Sequence, residues 1–350
     1  MFGHRSDGKK VKHMNIIDKA EPFFMPQRID AVNYTTIKVP CEKLDEFIAR
    51  ERRGGTSYSY MHIVIATLVR ILYIRKKLNR FIMRGSIYQR NYISVSMDIK
   101  KKLEEEGESL TLKFMFTGRE SIKEVKEIVD GEIAENMSDD TVHATTKAAG
   151  KLVKLPDFMF RWAMAFIRWL DKHGMLTKKL INASPFHTSC FLTNLKSIKL
   201  GHIYHHLYNF GTTTIFVSMG KERMEPYIEN NKEIKIGKFM NLGMSLDERV
   251  ADGLYMGKSL KLCNDILANP ETLLTSLPED GTIPKKMFRR TKKLKSKRRK
   301  SKDRKSKKIK PLKNKEKQDE KLRKRRKKAE EQELISNLEN NNTISQNAEQ

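Results

Sequence analysis

Cysteine is scarce in this 350-residue chain, which has only Cys41, Cys190 and Cys263. An odd number without metal-type spacing excludes a disulfide framework and a cysteine-rich zinc site, and free thiols fit a reducing cytoplasm. Long apolar runs are missing as well. The most apolar stretch, Phe158 to Leu170, is shorter than a bilayer crossing and contains Arg161 and Arg168. The first residues, MFGHRSDGKKVKH, have no apolar core of the kind a secretory leader needs. Acidic charge is short of balance, and the formal net charge is +27. The excess is local: residues 285–328 hold 27 Lys and Arg against 4 acids, residues 329–350 hold 5 acids and no base, and residues 1–284 are left with about +9. The basic balance therefore describes a tail and not the body.

No aromatic residue follows Phe288. A segment so polar cannot bury enough surface to fold alone. Its charge suits salt-dependent contact with a polyanion, RNA or an anionic membrane, through residues 285–328. It offers no stacking or base-reading platform, so sequence-specific recognition is not expected. A solvated extension without a partner is the other reading. Three parts follow: a flexible N-terminus over 1–21, a domain over 22–277, and a linker with a disordered Lys/Arg-rich tail over 278–350.

Within the body, Tyr34–Val39 reads as a strand rich in β-branched residues. Glu42–Arg53 reads as a helix stopped by Gly54 and Gly55, and Thr56 or Ser57 then caps a long helix running to Asn79. Strands follow over 81–83, 86–89, 91–99 and 110–117, then a helix over 121–136 and a weaker helical stretch over 139–153. In the helix 157–172, Phe158, Trp162, Phe166 and Trp169 share a face, expected to pack on the core, with a membrane-surface helix as the alternative. Further strands are expected within 184–195, over 211–219 and over 238–246. Elements mixed without a regular βαβ repeat favour α+β, a sandwich with a large mixed sheet flanked by helices.

The sharpest stretch is Lys238–Gly253, KFMNLGMSLDERVADG. Met240, Leu242, Met244 and Leu246 form the apolar face of a strand, DERVADG breaks it, and an apolar helix from Leu254 to Leu267 follows. A charged turn between a buried strand and a buried helix is a usual place for a reactive side chain. Two other groups merit weighing. His202, His205 and His206 cluster, and His202 and His206 would share one helical face, but no Cys, Asp or Glu lies among them, so no metal is expected. Asp18-Lys19-Ala20 echoes a lipoylation motif, yet too few residues precede it to build a lipoyl domain, so no lipoyl group is expected.

The DERVADG turn resembles the catalytic signature of the chloramphenicol acetyltransferase and dihydrolipoamide acyltransferase superfamily, Asp-His-Arg-Val-x-Asp-Gly. Arg249, Val250, Asp252 and Gly253 match it, and Glu248 stands where the family has its histidine. Ser189-Cys190-Phe191-Leu192-Thr193-Asn194-Leu195 is similar to the family's Phe-Thr-Ile-Ser-Asn-Leu-Gly strand, with Lys196 in place of the glycine. The resemblance spans about residues 22–277 and is greatest to stand-alone proteins carrying only the acyltransferase domain. It implies a chloramphenicol acetyltransferase-like sandwich, a homotrimer, a CoA thioester as co-substrate and a small-molecule thiol or hydroxyl acceptor. It also implies that the histidine position is the general base, that Thr193 supplies the oxyanion hydroxyl from a different chain, and that Asp252 fixes the turn through an ion pair, with Arg28 as the candidate partner. Arg249 and Gly253 would shape the turn. The residues that bind CoA are not indicated.

Glutamate changes the chemistry. A thiol near pKa 8.5 gives its proton to an imidazole against roughly 2 units, and to an ordinary carboxylate against roughly 4. The difference is about 3 kcal/mol, on the order of a hundredfold in rate. Glu248 is then either a repurposed base or the mark of a non-catalytic trimer that binds or assembles, with the basic tail carrying it to a polyanion. His187, on the approach to Thr193, is the alternative base.

Overall fold

The computed structural model describes residues 5–101, 104, 109–137, 155–229 and 233–279, which fall within one unit, Met1–Ile283. The tail, the linker beyond residue 279 and the stretch 139–153 lie outside the described residues.

A mixed sheet organises the fold. Its order is β2 (Val32–Pro40), β10 (Glu233–Asp247), β8 (Ile215–Met219), β7 (Cys190–Asn194), β5 (Ile93–Lys100) and β6 (Ser109–Phe116), with β9 (Arg223–Glu229) paired to the first half of β10. Pairings β5–β7 and β7–β8 are parallel, and the others are antiparallel. β10 is the spine. Its second half pairs with β2 on one side and β8 on the other, and Met240, Leu242, Met244 and Leu246 are buried as the alternation predicts.

Helices cover that apolar face. The central one is α3 (Tyr60–Ile74), buried over residues 60 and 62–72. Its cap is Ser59, in a reciprocal box with His62, and not Thr56 or Ser57. α3 packs against α4 (Ile122–Met137), α7 (Gly253–Leu267) and β5. α2 (Glu42–Arg53) buries Leu44 and Phe47 at the edge of the same core. The three cysteines are free and buried.

The opposite face of the sheet is covered by residues 201–211, which run as irregular backbone and not as the helix that would pair His202 with His206. The Ser218 hydroxyl accepts from Ile203 N at 3.1 Å and donates to Ile203 O at 2.5 Å. His205 lies flat on Phe216, with ring centroids 3.9 Å apart. Among the described residues no group of three His, Cys, Asp or Glu is placed to hold a metal.

Of the segment 1–21, expected to be flexible, residues 1–4 lie outside the described residues, and residues 5–21 take part in the fold. β1 (Gly8–Lys10) joins β4 (Ser86–Arg90) and β3 (Arg80–Met83) in a second, three-stranded sheet, and α1 (Ile16–Phe24) follows. Arg5 and Asp7 are buried, and Arg5 donates to Asp7 at 2.8 and 3.0 Å and to Asp171 at 2.8 Å. Asp171 closes α5 (Asp157–Lys172), which is followed by the short α6 (Lys178–Ala183). The aromatic face of α5 is not packed on the core: Asp171 is the only buried residue of the helix. The fold class is the expected one, α+β with a large mixed sheet flanked by helices. No described helix is long and apolar enough to cross a membrane.

Candidate active site

β10 ends at Asp247, whose carboxylate is fully buried. It accepts from the Arg249 backbone N–H at 3.2 Å and from the Arg249 guanidinium at 2.8 and 2.7 Å. The remaining Arg249 nitrogen, Nη1, donates to Met25 O at 2.6 Å, tying α1 to the turn. The ion pair that fixes the turn is therefore Asp247–Arg249. The expected Asp252–Arg28 pair is absent. Asp252 instead caps α7, accepting from Tyr255 N at 2.8 Å, and it meets Lys77 at 3.4 Å. That backbone bond holds its carboxyl below the usual range, with Lys77 adding to the effect. A Cβ at Gly253 would touch nothing within 4 Å, so this turn does not require glycine there.

Glu248 is half-buried just past the strand end. Its Oε2 accepts from Asn33 Nδ2 at 2.5 Å. Asn33 comes from β2, where the register pairs it with Leu246 and sets Val32 opposite Asp247. α1 packs on the same turn and brings Glu21 close. Burial pushes the Glu21 carboxyl up, and Asp18, Glu248, Asp252 and Asp247 push in the same direction. Neither Asn33 nor Glu21 was foreseen. Their approach depends on strand pairing and helix docking, which leave no local mark in the sequence.

Thr193 stands half-buried on β7, opposite Ser218 on β8, and Ser218 is opposite Gly243 on β10. Glu248 lies five residues beyond Gly243, just past the end of β10. Five rises of about 3.3 Å and two strand spacings of about 4.8 Å put Thr193 and Glu248 roughly 19 Å apart. One chain does not bring them together. His187 is also away from the turn. Its ring is fully buried, with Nδ1 2.7 Å from Ser184 Oγ and Nε2 3.1 Å from Asp171 Oδ2. Burial lowers the His187 pKa, and Asp171 opposes that shift. Lys196 pairs with Glu222 at 2.7 Å, and its ammonium sits 4.2 Å from the Tyr60 ring centre.

Beside the Arg249 side of the turn opens a cleft of about 560 Å³, lined among others by Phe23, Arg28, Arg84, Lys172, Asn209 and Arg249. Arg28 is buried and donates to the carbonyls of Tyr208, Asn209 and Gly211 at 2.9, 2.9 and 2.7 Å. Burial lowers its pKa to about 10, and Asp247 opposes the shift. Arg84 and Gly85 both adopt positive φ (50° and 68°) in the two-residue turn joining β3 to β4, which sets the Arg84 side chain at the cleft. Of the cations in the lining, Arg249 is paired with Asp247 and Arg28 is engaged with carbonyls, which leaves Arg84 and Lys172 to face an anionic ligand.

Residues 209–275 match the family model of the 2-oxoacid dehydrogenases acyltransferase (catalytic domain). A probable dihydrolipoamide acetyltransferase from Listeria monocytogenes is similar in structure at 16% identity, covering 74% of this chain and 94% of that one, with a TM-score of 0.46. Dihydrolipoamide acetyltransferase from Azotobacter vinelandii is similar at 13% identity, over 76% and 94%, with a TM-score of 0.47. A chloramphenicol acetyltransferase is similar at 14% identity, over 74% and 99%, with a TM-score of 0.45. No curated protein matches by sequence. The family-model match takes in the Glu248 turn and α7 and covers 67 of the 350 residues.

Proposed function

We propose that the protein is a CoA-dependent acyltransferase that moves an acyl group from a CoA thioester to a small thiol or hydroxyl acceptor. The observation that carries this is the family match over residues 209–275, which takes in the whole Glu248 turn. A CoA thioester supplies the electrophilic carbonyl and a thiolate leaving group. Arg84 and Lys172 on the cleft wall are the cations on offer to its phosphates. Asn33 holds one oxygen of Glu248, and the other is left to accept the acceptor's proton. The Thr193 hydroxyl donates to the oxyanion as the acceptor attacks, and the proton held on Glu248 then passes to the departing thiolate. The roughly 19 Å between Thr193 and Glu248 supports a site shared between copies of the chain, as in a homotrimer whose channel lies between subunits. Buried free thiols fit a cytoplasmic location.

A second reading is favoured by Glu248 itself. A carboxylate is a poor base for a thiol, and a non-catalytic trimer that binds or assembles, with residues 285–328 on RNA or another polyanion, would not need one. Release of free CoA thiol from acetyl-CoA in the presence of small thiol acceptors separates the two. Glu248→Gln should lower the rate by about 10²–10⁴ if Glu248 is the base. An unchanged rate would remove Glu248 from the mechanism, and no turnover by the unaltered protein would favour the binding role.

A further inference from the structure

α5 is the one long described helix whose apolar face is turned to solvent. Phe158 is 65% exposed, Trp162 76%, Phe166 59% and Trp169 45%. At 100° per residue these four side chains fall within an arc of about 80°. The Phe166 and Trp169 rings stack on each other at 6.2 Å, and Trp169 covers His173 at 4.4 Å, so the face is continuous. Arg161, Arg168 and Lys172, all exposed, line one border of it. Lys178 and Lys179, also exposed, follow at the start of α6.

The orientation is fixed from within. Asp171 lies on the opposite side of the helix, where its side chain receives Arg5 at 2.8 Å and lies 3.1 Å from the His187 ring, and its carbonyl receives Arg5 at 2.9 Å. Turning the aromatic face inward would pull a buried carboxylate from its partners, which is strongly unfavourable. The helix is thus held with four aromatic rings outward. It is 16 residues long, and no described helix is apolar enough to cross a bilayer. An apolar face, a cationic border and no spanning length are the properties of a helix that lies in a membrane interface. A second copy seated face to face with its helix antiparallel would set this row of cations against its own image, whereas anionic headgroups complement it.

We propose that α5 docks in the plane of an anionic phospholipid bilayer, with Phe158, Trp162, Phe166 and Trp169 among the upper acyl chains and Arg161 and Arg168 at the lipid phosphates. The docking does not depend on the acyltransferase activity. It brings the body to a surface through a folded element, separately from the basic segment 285–328.

Both tryptophans of the chain, Trp162 and Trp169, lie on this face, so intrinsic emission reports on it directly. The full chain is titrated with vesicles of phosphatidylglycerol and phosphatidylcholine, and with phosphatidylcholine alone. Anionic vesicles should shift the emission to the blue, brominated acyl chains should quench it, and zwitterionic vesicles should bind at least about tenfold more weakly. The double variant Trp162→Glu, Phe166→Glu should lose the quenching of the remaining Trp169. Should that variant misfold, Arg161→Gln with Arg168→Gln keeps the aromatics and should weaken anionic-vesicle binding about tenfold. Protein that sediments with anionic vesicles while its emission stays unquenched would show contact through the basic segment alone and overturn the proposal. A blue shift that grows with protein concentration in the absence of lipid would assign the face to a second copy and overturn it equally.

Discussion

Gly243 sits where β10 passes under the 201–208 segment. A Cβ there would stand 2.3 Å from Ile203 O and 2.7 Å from Ser218 Oγ. Gly243→Ala should therefore destabilise the body by about 1–3 kcal/mol, read as a lower urea midpoint at unchanged slope. Gly253→Ala, where the Cβ is free, should stay within about 0.5 kcal/mol. The sequence pattern pointed at Gly253 because the motif ends there. It could not indicate Gly243, since crowding by a segment forty residues away leaves no local signal. Asn33 makes a related case. Its bond to Glu248 positions one carboxylate oxygen, so Asn33→Ala should lower kcat for acyl transfer about tenfold with KM little changed. The position of the turn between strand and helix was readable, but its fixing pair was not. Asp247 and Arg249 are two residues apart, and which acid Arg249 meets depends on the strand ending where it does.

Among the elements, β1 with residues 5–7 was the furthest from expectation. Its residues are polar, and polar ends usually fray. They are ordered here because their charges have partners far along the chain: Arg5 bonds Asp171, and Asp7 faces Arg5 and Arg90. Arg5→Ala should cost about 3–5 kcal/mol, because it leaves buried carboxylates uncompensated. Its pH dependence has a definite sign. Although burial opposes it, Arg5 and Arg90 hold the Asp7 carboxyl below its ordinary value, and His187 and Arg5 do the same for Asp171. A carboxyl depressed in the folded state stabilises the protein above its unfolded pKa of about 3.9 and loses that contribution as pH falls through the lower folded value. Thermal melts should show the unaltered protein losing stability below about pH 4, and Arg5→Ala should show a flatter acid limb. Long periodic elements such as α2, α3 and β10 were legible, because burial of one stripe or one alternating face is written in the residues themselves. The same periodicity in α5 said that a face was apolar without saying what it faced. The His202–His206 spacing does not form a helical face, because the backbone N–H and C=O of Ile203 are both bonded to the Ser218 hydroxyl on β8.

At the scale of the molecule, the roughly 19 Å between Thr193 and Glu248 makes a prediction about assembly. Each of Thr193→Ala and Glu248→Gln should be inactive alone if the site is shared between neighbouring chains. Refolded together in equal amounts, the two should recover about a quarter of the unaltered activity, because one site in four then joins an intact Thr193 to an intact Glu248. No recovery on mixing would place both groups in one chain's site or in none.

Among the described residues β2 has a strand partner only in β10, with Pro40 opposite Phe239 and Val32 opposite Asp247. On the ribosome the first of these strands therefore waits for about 200 residues to be made, on the order of 10–40 s at the usual elongation rate. During that interval its edge and the underside of α3 have no sheet spine to close on. The nascent chain is thus exposed to trigger-type holdases and to early aggregation for most of its synthesis. Slower elongation would lengthen that exposure instead of easing folding.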